Sequence, residues 1–261
     1  MALDLTRQHA TVRGMFPIRD HNPSGRTPYV TYTLMLANIA IFLSYWGLFR
    51  DPRAINAFFF DWALIPALIS DGQGFAGLGT SMFLHGGWMH LAGNMLFLYI
   101  FGDNVEDELG HLTYLGFYLG CGVIAALAQY VTQPFSSVPT VGASGAIAGV
   151  MGGYLLMFPR ARVDILVILI IFFRILPVPA WVVLAIWFGL QVFGELGAPG
   201  DGSGVAYWAH LGGFLAGLVL ILPAWLRRGG PAFWHRTRGH PPHPEVRYTD
   251  TTRIPKVGRK R

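Results

Sequence analysis

The hydrophobic positions of this chain fall into long runs, and the polar residues gather between them. Six of these runs approach the roughly 20 residues that an α-helix needs to cross a bilayer. They lie at 29–49, 83–102, 111–131, 143–158, 178–194 and 206–226. The pattern predicts an all-α membrane protein, built as a bundle of six spans.

The apolar stretch 165–193 requires an interpretation of its own, because Pro177 and Pro179 divide it. The part before the prolines is too short to cross a bilayer as a helix. We therefore expect 163–176 to be a connector lying at the membrane interface, and 178–194 to be the fifth span.

The distribution of basic residues favours an even number of spans. Seventeen of the 19 Lys and Arg residues fall on one side of a six-span bundle, and only Arg50 and Arg53 fall on the other. Because cytoplasmic loops carry an excess of Lys and Arg, both termini are predicted to be cytoplasmic. The predicted units are an N-terminal tail (1–28), a six-span domain (29–227) and a basic, disordered tail (228–261).

The composition agrees with a lipid environment, since 53% of the residues are hydrophobic and only 13% are charged. Soluble domains contain about 25% charged residues. The segment 50–82 is apolar in patches, and we interpret it as a first outer loop partly embedded in the interface.

The basic residues lie toward the chain ends without interleaved aromatic residues, so no nucleic-acid partner is expected. The spacing of His85 and His90 does not fit a zinc motif, so no metal is expected.

Polar groups that could perform chemistry gather near the outer ends of three predicted spans. His90 and Asn94 are four residues apart and share one face of the second span. Ser144 opens the fourth span, and His210 lies about one turn inside the sixth. From the rise of about 1.5 Å per residue, all four fall at a depth of roughly 5–10 Å. Taken singly, the serine could be a helix N-cap, and the other groups could form hydrogen bonds between spans.

Glycines on the fourth and sixth spans bear on that choice. Gly145 and Gly149 are four residues apart, as are Gly213 and Gly217. Small residues at this spacing let two helix backbones approach closely. The pattern therefore predicts that the fourth and sixth spans touch, which brings the serine and the second of the two histidines within hydrogen-bond reach.

Taken together, the motifs resemble those of the rhomboid intramembrane serine proteases. In chain order they are Met15-Phe-Pro-Ile-Arg-Asp20, His85-Gly-Gly-Trp-Met-His90-Leu-Ala-Gly-Asn94, Gly102-Asp-Asn-Val-Glu106 with Gly110, Gly142-Ala-Ser144-Gly145 and Ala209-His210-Leu-Gly-Gly213. The resemblance covers about residues 15–227, and the order of the motifs on the spans makes it specific.

The resemblance implies a rhomboid bundle with a catalytic dyad and no cofactor. Ser144 would be the nucleophile, and His210 would be the general base and then the acid. The backbone N–H of Ser144, together with His90 and Asn94, would hold the developing oxyanion. Five further residues near the site are expected to have structural roles: Gly142, Gly145, Gly149, Gly213 and His85.

The implied reaction is cleavage of single-span membrane proteins near the outer face of a bacterial plasma membrane. A lateral gate is expected from the loop 196–206 and the aromatic residues of the fifth span, namely Trp181, Trp187, Phe188 and Phe193. Some family members have an aromatic residue one turn below the nucleophile, where this chain has Ala148, so the support of the histidine is unassigned. The alternative is a catalytically inactive relative that binds or dislocates membrane proteins. The oligomeric state is not predicted.

Overall fold

The computed structural model describes residues 12–22, 24–169, 172–197 and 205–242. The described helices are α1 (Tyr29–Tyr45), α2 (Pro52–Trp62), α3 (Pro66–Ser70), α4 (Gly77–Thr80), α5 (Trp88–Leu109), α6 (His111–Thr132), α7 (Ser144–Met157), α8 (Ala180–Gly197), α9 (Tyr207–Arg227) and α10 (Pro231–Thr237). The described strands are β1 (Val12–Asp20), β2 (Arg162–Leu169) and β3 (Phe172–Pro179). Most of the loop 196–206, where part of the gate was expected, lies outside the described residues, as does the chain beyond residue 242.

Each of the six apolar runs contains a helix close to its expected position: α1, α5, α6, α7, α8 and α9. Among the described residues, three helical segments are long and apolar enough to cross a membrane, judged by length and composition. They are Tyr29–Arg50, which joins α1 to a 3₁₀ turn, His111–Thr132 and Tyr207–Arg227. These helices mark a multi-pass membrane protein, whereas a count of six spans stays a prediction.

The prediction of an all-α fold is wrong for one part of the chain, which forms a three-stranded antiparallel sheet in the order β1-β2-β3. The expected connector 163–176 is most of the β2–β3 hairpin, and the expected N-terminal tail supplies β1. Both strands of the hairpin are rich in the β-branched and aromatic residues that favour strands. A run too short to cross as a helix satisfies its backbone N–H and C=O groups in a hairpin instead.

The expected disorder of the C-terminal tail is also wrong at its beginning, where α10 folds back onto the bundle. The Trp234 indole N–H donates to the carbonyl of Leu156 at 2.8 Å, and Phe233 is buried. The backbone N–H of Arg160 donates to the carbonyl of Gly239 at 2.9 Å. Two aromatic anchors within the basic tail therefore hold this stretch against the end of α7.

The first loop between spans, predicted at 50–82, contains α2, α3 and α4. Leu64 pairs with Thr140 through both backbone hydrogen bonds, of 3.1 and 2.8 Å. Gly77 lies against the Ala63 carbonyl so closely that a Cβ atom would collide with it. The loop is thereby fixed beside the segment that leads into Ser144.

The direction of the helices gives the bundle two distinct ends. α5, α7 and α9 begin at the end that carries His90, Ser144 and His210, which we call the site end. The same three helices finish near the sheet and α10, which we call the sheet end. Polar residues predicted to fall at one depth therefore do lie at one end of the bundle.

Candidate active site

The contact between α7 and α9 rests on the glycines that the sequence pattern singled out. A Cβ atom on Gly213 would collide with the carbonyl of Gly145, and one on Gly217 would collide with the carbonyl of Gly149. Main chain therefore lies directly against main chain, as small residues at this spacing allow. The first turns of the two helices are brought together as a result.

At this junction the Oγ atom of Ser144 lies 2.7 Å from Nε2 of His210. Ser144 is the first residue of α7, and no side-chain hydrogen bond caps that helix. The N-cap interpretation of the serine is therefore wrong, because its hydroxyl contacts the imidazole. A hydroxyl with a base at hydrogen-bond distance has the arrangement of an activated nucleophile.

The second nitrogen of His210 has a partner that the sequence analysis did not identify. Nδ1 lies 2.8 Å from Oε1 of Gln191 in α8. The amide nitrogen of Gln191 donates to the carbonyl of Trp187 at 3.2 Å. The Trp187 ring also lies beside the imidazole, with ring centroids 5.8 Å apart. The sequence analysis left open what holds the His210 ring, because α7 has Ala148 where some family members have an aromatic residue. In the structure, residues of α8 contact the ring instead.

The first turn of α9 also forms a hydrogen bond with Gln129 of α6. Its side-chain oxygen accepts from the backbone N–H of Ala209 at 3.3 Å. This N–H lies in the first helical turn, where no intrahelical acceptor is present. Gln129 therefore supplies a tertiary cap next to His210, and a lone amide in an apolar span was the sequence signal for it.

Gly142, for which the resemblance implies a structural role, lies in the turn before α7 in a backbone conformation that favours glycine. Its φ angle is +134°, a region that side-chain-bearing residues rarely adopt. A Cβ atom there would lie 2.7 Å from Nε2 of His90 and 3.4 Å from Oγ of Ser144. The Gly142 N–H donates to the carbonyl of Ser81 at 3.0 Å, which fixes the turn before α7.

His90 faces the serine across Gly142 with a defined ring nitrogen. The backbone N–H of Gly86 points at Nδ1 of His90 at 3.4 Å, so Nδ1 is the acceptor. In the neutral ring the proton is then on Nε2, which is the nitrogen on the side of Gly142. His90 can therefore offer an N–H donor to the space above Ser144.

Asn94 is almost fully buried one turn below His90, and its amide donates to the carbonyl of that histidine at 3.1 Å. The amide group has a second N–H donor, so one donor is left after this contact. The structure thus brings all four predicted site side chains to one end, with Asn94 engaged in its own helix.

His85 lies behind the site and is fully buried. Its ring meets that of His90 edge-on, with centroids 5.2 Å apart. The hydroxyl of Tyr45 accepts from the His85 N–H at 2.6 Å and donates to the His85 carbonyl at 2.9 Å. A residue of α1 thereby holds the loop that presents His90.

A cavity of about 720 Å³ opens over these groups. Its polar lining is supplied by His90, Asn94, Ser144 and His210, and much of the remainder is apolar. The apolar and aromatic lining from α5, α7 and α8 includes Phe97, Ile147, Met151 and Trp187. A cavity of this size with a few convergent polar groups is typical of a binding site.

Of the four aromatic residues expected to form a gate, only Trp187 lines this cavity. Phe188 packs on Phe214, with ring centroids 5.0 Å apart, and Phe193 is 74% exposed. Trp181 lies in the first turn of α8, next to the sheet. The expectation for Trp181 is wrong, because α8 runs from the sheet end towards the site end.

Fold and site together define a helical membrane protein with a serine–histidine pair at one end of its bundle. A family model described as the Rhomboid domain matches residues 73–227, which is more than half of the chain. The chain belongs to the rhomboid family.

Individual relatives agree with this assignment. The rhomboid relative YdcA of Bacillus subtilis is 42% identical over 78 residues, which are 30% of this chain and 39% of YdcA. Rhomboid protease GluP of the same organism is 32% identical over 164 residues, 63% of this chain and 29% of GluP. Rhomboid protein 1 of Saccharomyces cerevisiae mitochondria is 27% identical over 196 residues, 73% of this chain and 51% of that protein. The chain thus spans at most about half the length of these curated relatives.

Proposed function

We propose that this protein is an intramembrane serine endopeptidase that uses Ser144 and His210 as a catalytic dyad. The observation that carries the proposal is the 2.7 Å contact between Oγ of Ser144 and Nε2 of His210 at the edge of the cavity. Rhomboid family membership supports it, as does the protease named among the relatives.

In the proposed reaction, the Ser144 hydroxyl attacks the carbonyl carbon of the scissile peptide bond while His210 Nε2 takes up its proton. The imidazolium then donates this proton to the leaving amine. Water hydrolyses the acyl-enzyme with the histidine again acting as base. The pair needs no third acidic group if another contact holds the imidazole in the correct tautomer.

The developing oxyanion would be held by three donors around the turn at Gly142. The Ser144 backbone N–H lies in the first turn of α7, where it has no intrahelical acceptor. His90 offers its Nε2 proton, and Asn94 offers the amide proton that its own helix does not use. Loss of one such donor costs about 2.7–4 kcal/mol of transition-state stabilisation in other enzymes.

The proposed substrate is the end of a single transmembrane helix in another protein. A helical peptide bond is shielded by its own hydrogen bonds, so Gly or Pro near the cleavage point would lower the cost of unwinding. The mainly apolar lining of the cavity is suited to such a segment. In the proposed topology the site end faces the outer side of a plasma membrane, six helices span it, and both termini are cytoplasmic.

The test is cleavage of a tagged single-span substrate, with a Gly-rich outer helix end, after co-reconstitution into liposomes. Wild-type protein is compared with Ser144→Ala and with Ser137→Ala, an exposed serine in the loop before α7. We expect a product from wild type and from Ser137→Ala, and none from Ser144→Ala.

A fluorophosphonate probe supplies a measurement that does not depend on the choice of substrate. Labelling should occur at Ser144 and disappear in Ser144→Ala. Absence of both cleavage and labelling in the folded wild type would favour the inactive, membrane-protein-binding relative over the protease.

A further inference from the structure

Gln191 lies in the apolar helix α8 and uses both ends of its amide group. Its Nε2 donates to the Trp187 carbonyl one turn earlier at 3.2 Å. Its Oε1 lies 2.8 Å from Nδ1 of His210. An amide nitrogen can only donate and an amide oxygen can only accept. The Trp187 carbonyl therefore determines that the oxygen of Gln191 faces the imidazole.

This orientation has a consequence for the protonation of His210. A carbonyl oxygen at Nδ1 requires that this nitrogen carry the proton. In the neutral ring Nε2 then holds a lone pair, and Nε2 is the nitrogen 2.7 Å from Oγ of Ser144. The ring is thus in the tautomer that can accept the serine proton.

The remaining neighbours of the ring do not supply the same contact. Ser144 of α7 bonds to the other nitrogen, and the Trp187 ring lies beside the imidazole at a tilt of 40°. His90 of α5 is the titratable neighbour across the site. No carboxylate among the described residues forms a hydrogen bond with the imidazole.

We propose that Gln191 is the positioning residue of the Ser144–His210 pair, taking the place that an aspartate has in soluble triads. It selects the Nδ1-protonated tautomer, holds the plane of the ring, and accepts a stronger hydrogen bond when the ring becomes an imidazolium. An uncharged amide performs this role without an anion in a low-dielectric environment, where an anion would be costly. The proposal rests on the catalytic dyad proposed above.

The first test measures the fluorophosphonate labelling rate as a function of pH in Gln191→Leu and Gln191→Glu. Leucine is close in size but offers no acceptor, and we expect labelling at neutral pH to slow by about tenfold or more, as for loss of a hydrogen bond. Glutamate restores an acceptor and adds a charge that favours the imidazolium. In that variant the rate should recover at high pH, with the acidic limb of the profile displaced to higher pH. Leu190→Ala, on the exposed face of α8, is the matched control and should label like wild type.

The second test does not need activity. ¹⁵N NMR of protein labelled at histidine, with His210→Ala to assign the signal, should show the Nδ1-protonated tautomer in wild type and in Ser144→Ala. Gln191→Leu should show a mixture of tautomers. Thermal unfolding of the same sample should show that this variant is folded. If neither the tautomer nor the labelling rate changes in folded Gln191→Leu, the positioning role is excluded. If wild type is not labelled but the tautomer still depends on Gln191, the dyad proposal fails while the contact stands.

Discussion

The two ends of the bundle are held together by different kinds of interaction. At the site end, Ser144, His210 and Gln191 form a chain of hydrogen bonds between groups that are uncharged when the imidazole is neutral. At the sheet end, basic side chains meet acidic ones. Every ion pair within the described ranges belongs to this second end, and the acidic partners are Asp164, Glu106, Asp107 and Glu108.

The sheet end is connected by carboxylates that serve several elements at once. Glu106 of α5 accepts from the backbone N–H groups of Val30 and Thr31, and from the Thr31 hydroxyl, at 2.7–2.8 Å. The same carboxylate lies 2.6 Å from Nδ1 of His111 in α6. One buried side chain therefore caps α1 and ties it to both α5 and α6.

Asp164 has a similar role in the sheet. This carboxylate of β2 lies 2.7 Å from Nε of Arg19 and 2.6 Å from Nε2 of His21. Arg228 at the end of α9 pairs with Glu108 at the end of α5. Charged hydrogen bonds are roughly twice as strong as neutral ones. We therefore expect this end to contribute more to the stability of the bundle than the site end does.

The comparison indicates a division of labour. Catalysis requires groups whose protonation changes during the reaction, and a fixed charge close to them would shift their pKa values. At the sheet end, stability depends largely on carboxylates that accept hydrogen bonds from basic side chains and backbone N–H groups. We therefore expect substitutions at the site end to lower activity with little effect on stability. Substitutions at the sheet end should lower stability with little effect on the activity of the folded protein.

The largest expected effect is that of His210→Ala. Removal of the proposed base should lower both cleavage and fluorophosphonate labelling by at least about 10³-fold, since residues of such a unit each account for most of its effect. The free energy of unfolding should change by no more than about 1–2 kcal/mol, because the ring is held by neutral hydrogen bonds. His235→Ala, an exposed histidine of α10 at the sheet end, should retain full activity. A His210→Ala protein as active as this control would refute the proposed dyad.

The next effect in size is that of His90→Ala. Loss of one oxyanion donor should reduce kcat by about 10²–10³-fold and leave KM nearly unchanged, since the contact forms in the transition state. The control is Leu112→Ala at the start of α6, a residue that is also 86% exposed and does not line the cavity, and it should have no effect. Steady-state kinetics on the reconstituted substrate separates the two parameters. A rise in KM alone would show instead that His90 contacts the bound substrate.

The sheet end is tested by Glu106→Ala, which should destabilise the fold by about 3 kcal/mol. The substitution leaves the Val30 and Thr31 donors without their acceptor, and unpaired buried groups carry a penalty of about 1–3 kcal/mol each. Unfolding followed by tryptophan fluorescence measures the loss in the free energy of unfolding. The value for Glu106→Gln should lie between those of Glu106→Ala and wild type. Activity per folded molecule should stay within about twofold of wild type. A stable but inactive Glu106→Ala protein would contradict the division of labour.

Local patterns predicted the helices well but not the sheet. The sixth run, expected at 206–226, is the helix Tyr207–Arg227. The length of a long apolar helix can be read from its own sequence, because it does not depend on pairing with another segment. The hairpin β2–β3 was missed because its apolar character matches a buried helix or a strand equally well. Its partner strand β1 lies about 150 residues earlier in the chain, and such a pairing is invisible to local patterns.

The candidate site was likewise predicted from local patterns only in part. The glycine spacing predicted that Ser144 and His210 would approach each other, and the structure brings them together at 2.7 Å. Their catalytic role stays a prediction. Gln191 stood out in the sequence only as a polar break in an apolar run. Its contact depends on how α8 is rotated and seated against α9, which tertiary packing determines.

Asp20, at the sheet end and outside the membrane-spanning helices, should give the smallest change in stability when the pH changes by a single unit. Burial, and next the nearby Asp103 carboxylate, raise the pKa of Asp20 from its ordinary 3.8 to about 8, although Asn104 and Tyr154 donate hydrogen bonds to it. Between these two pH values the unfolded chain has lost this proton and the folded protein keeps it. The folded state is therefore destabilised as pH rises, by about 1.4 kcal/mol per pH unit for one proton.

Asp20→Asn removes the titration, so its advantage in stability over wild type should be absent near pH 4, grow up to about pH 8 and then level off. Unfolding midpoints measured at one-unit intervals of pH check this, with Asp71→Asn, an exposed carboxyl in the first loop, as the control that should follow wild type. Cleavage by Asp20→Asn should keep the pH profile of the wild type, because the site end has its own titrating group. If the variant instead shifted that profile, the two ends would be coupled through α5 and α7, and the division of labour would not hold.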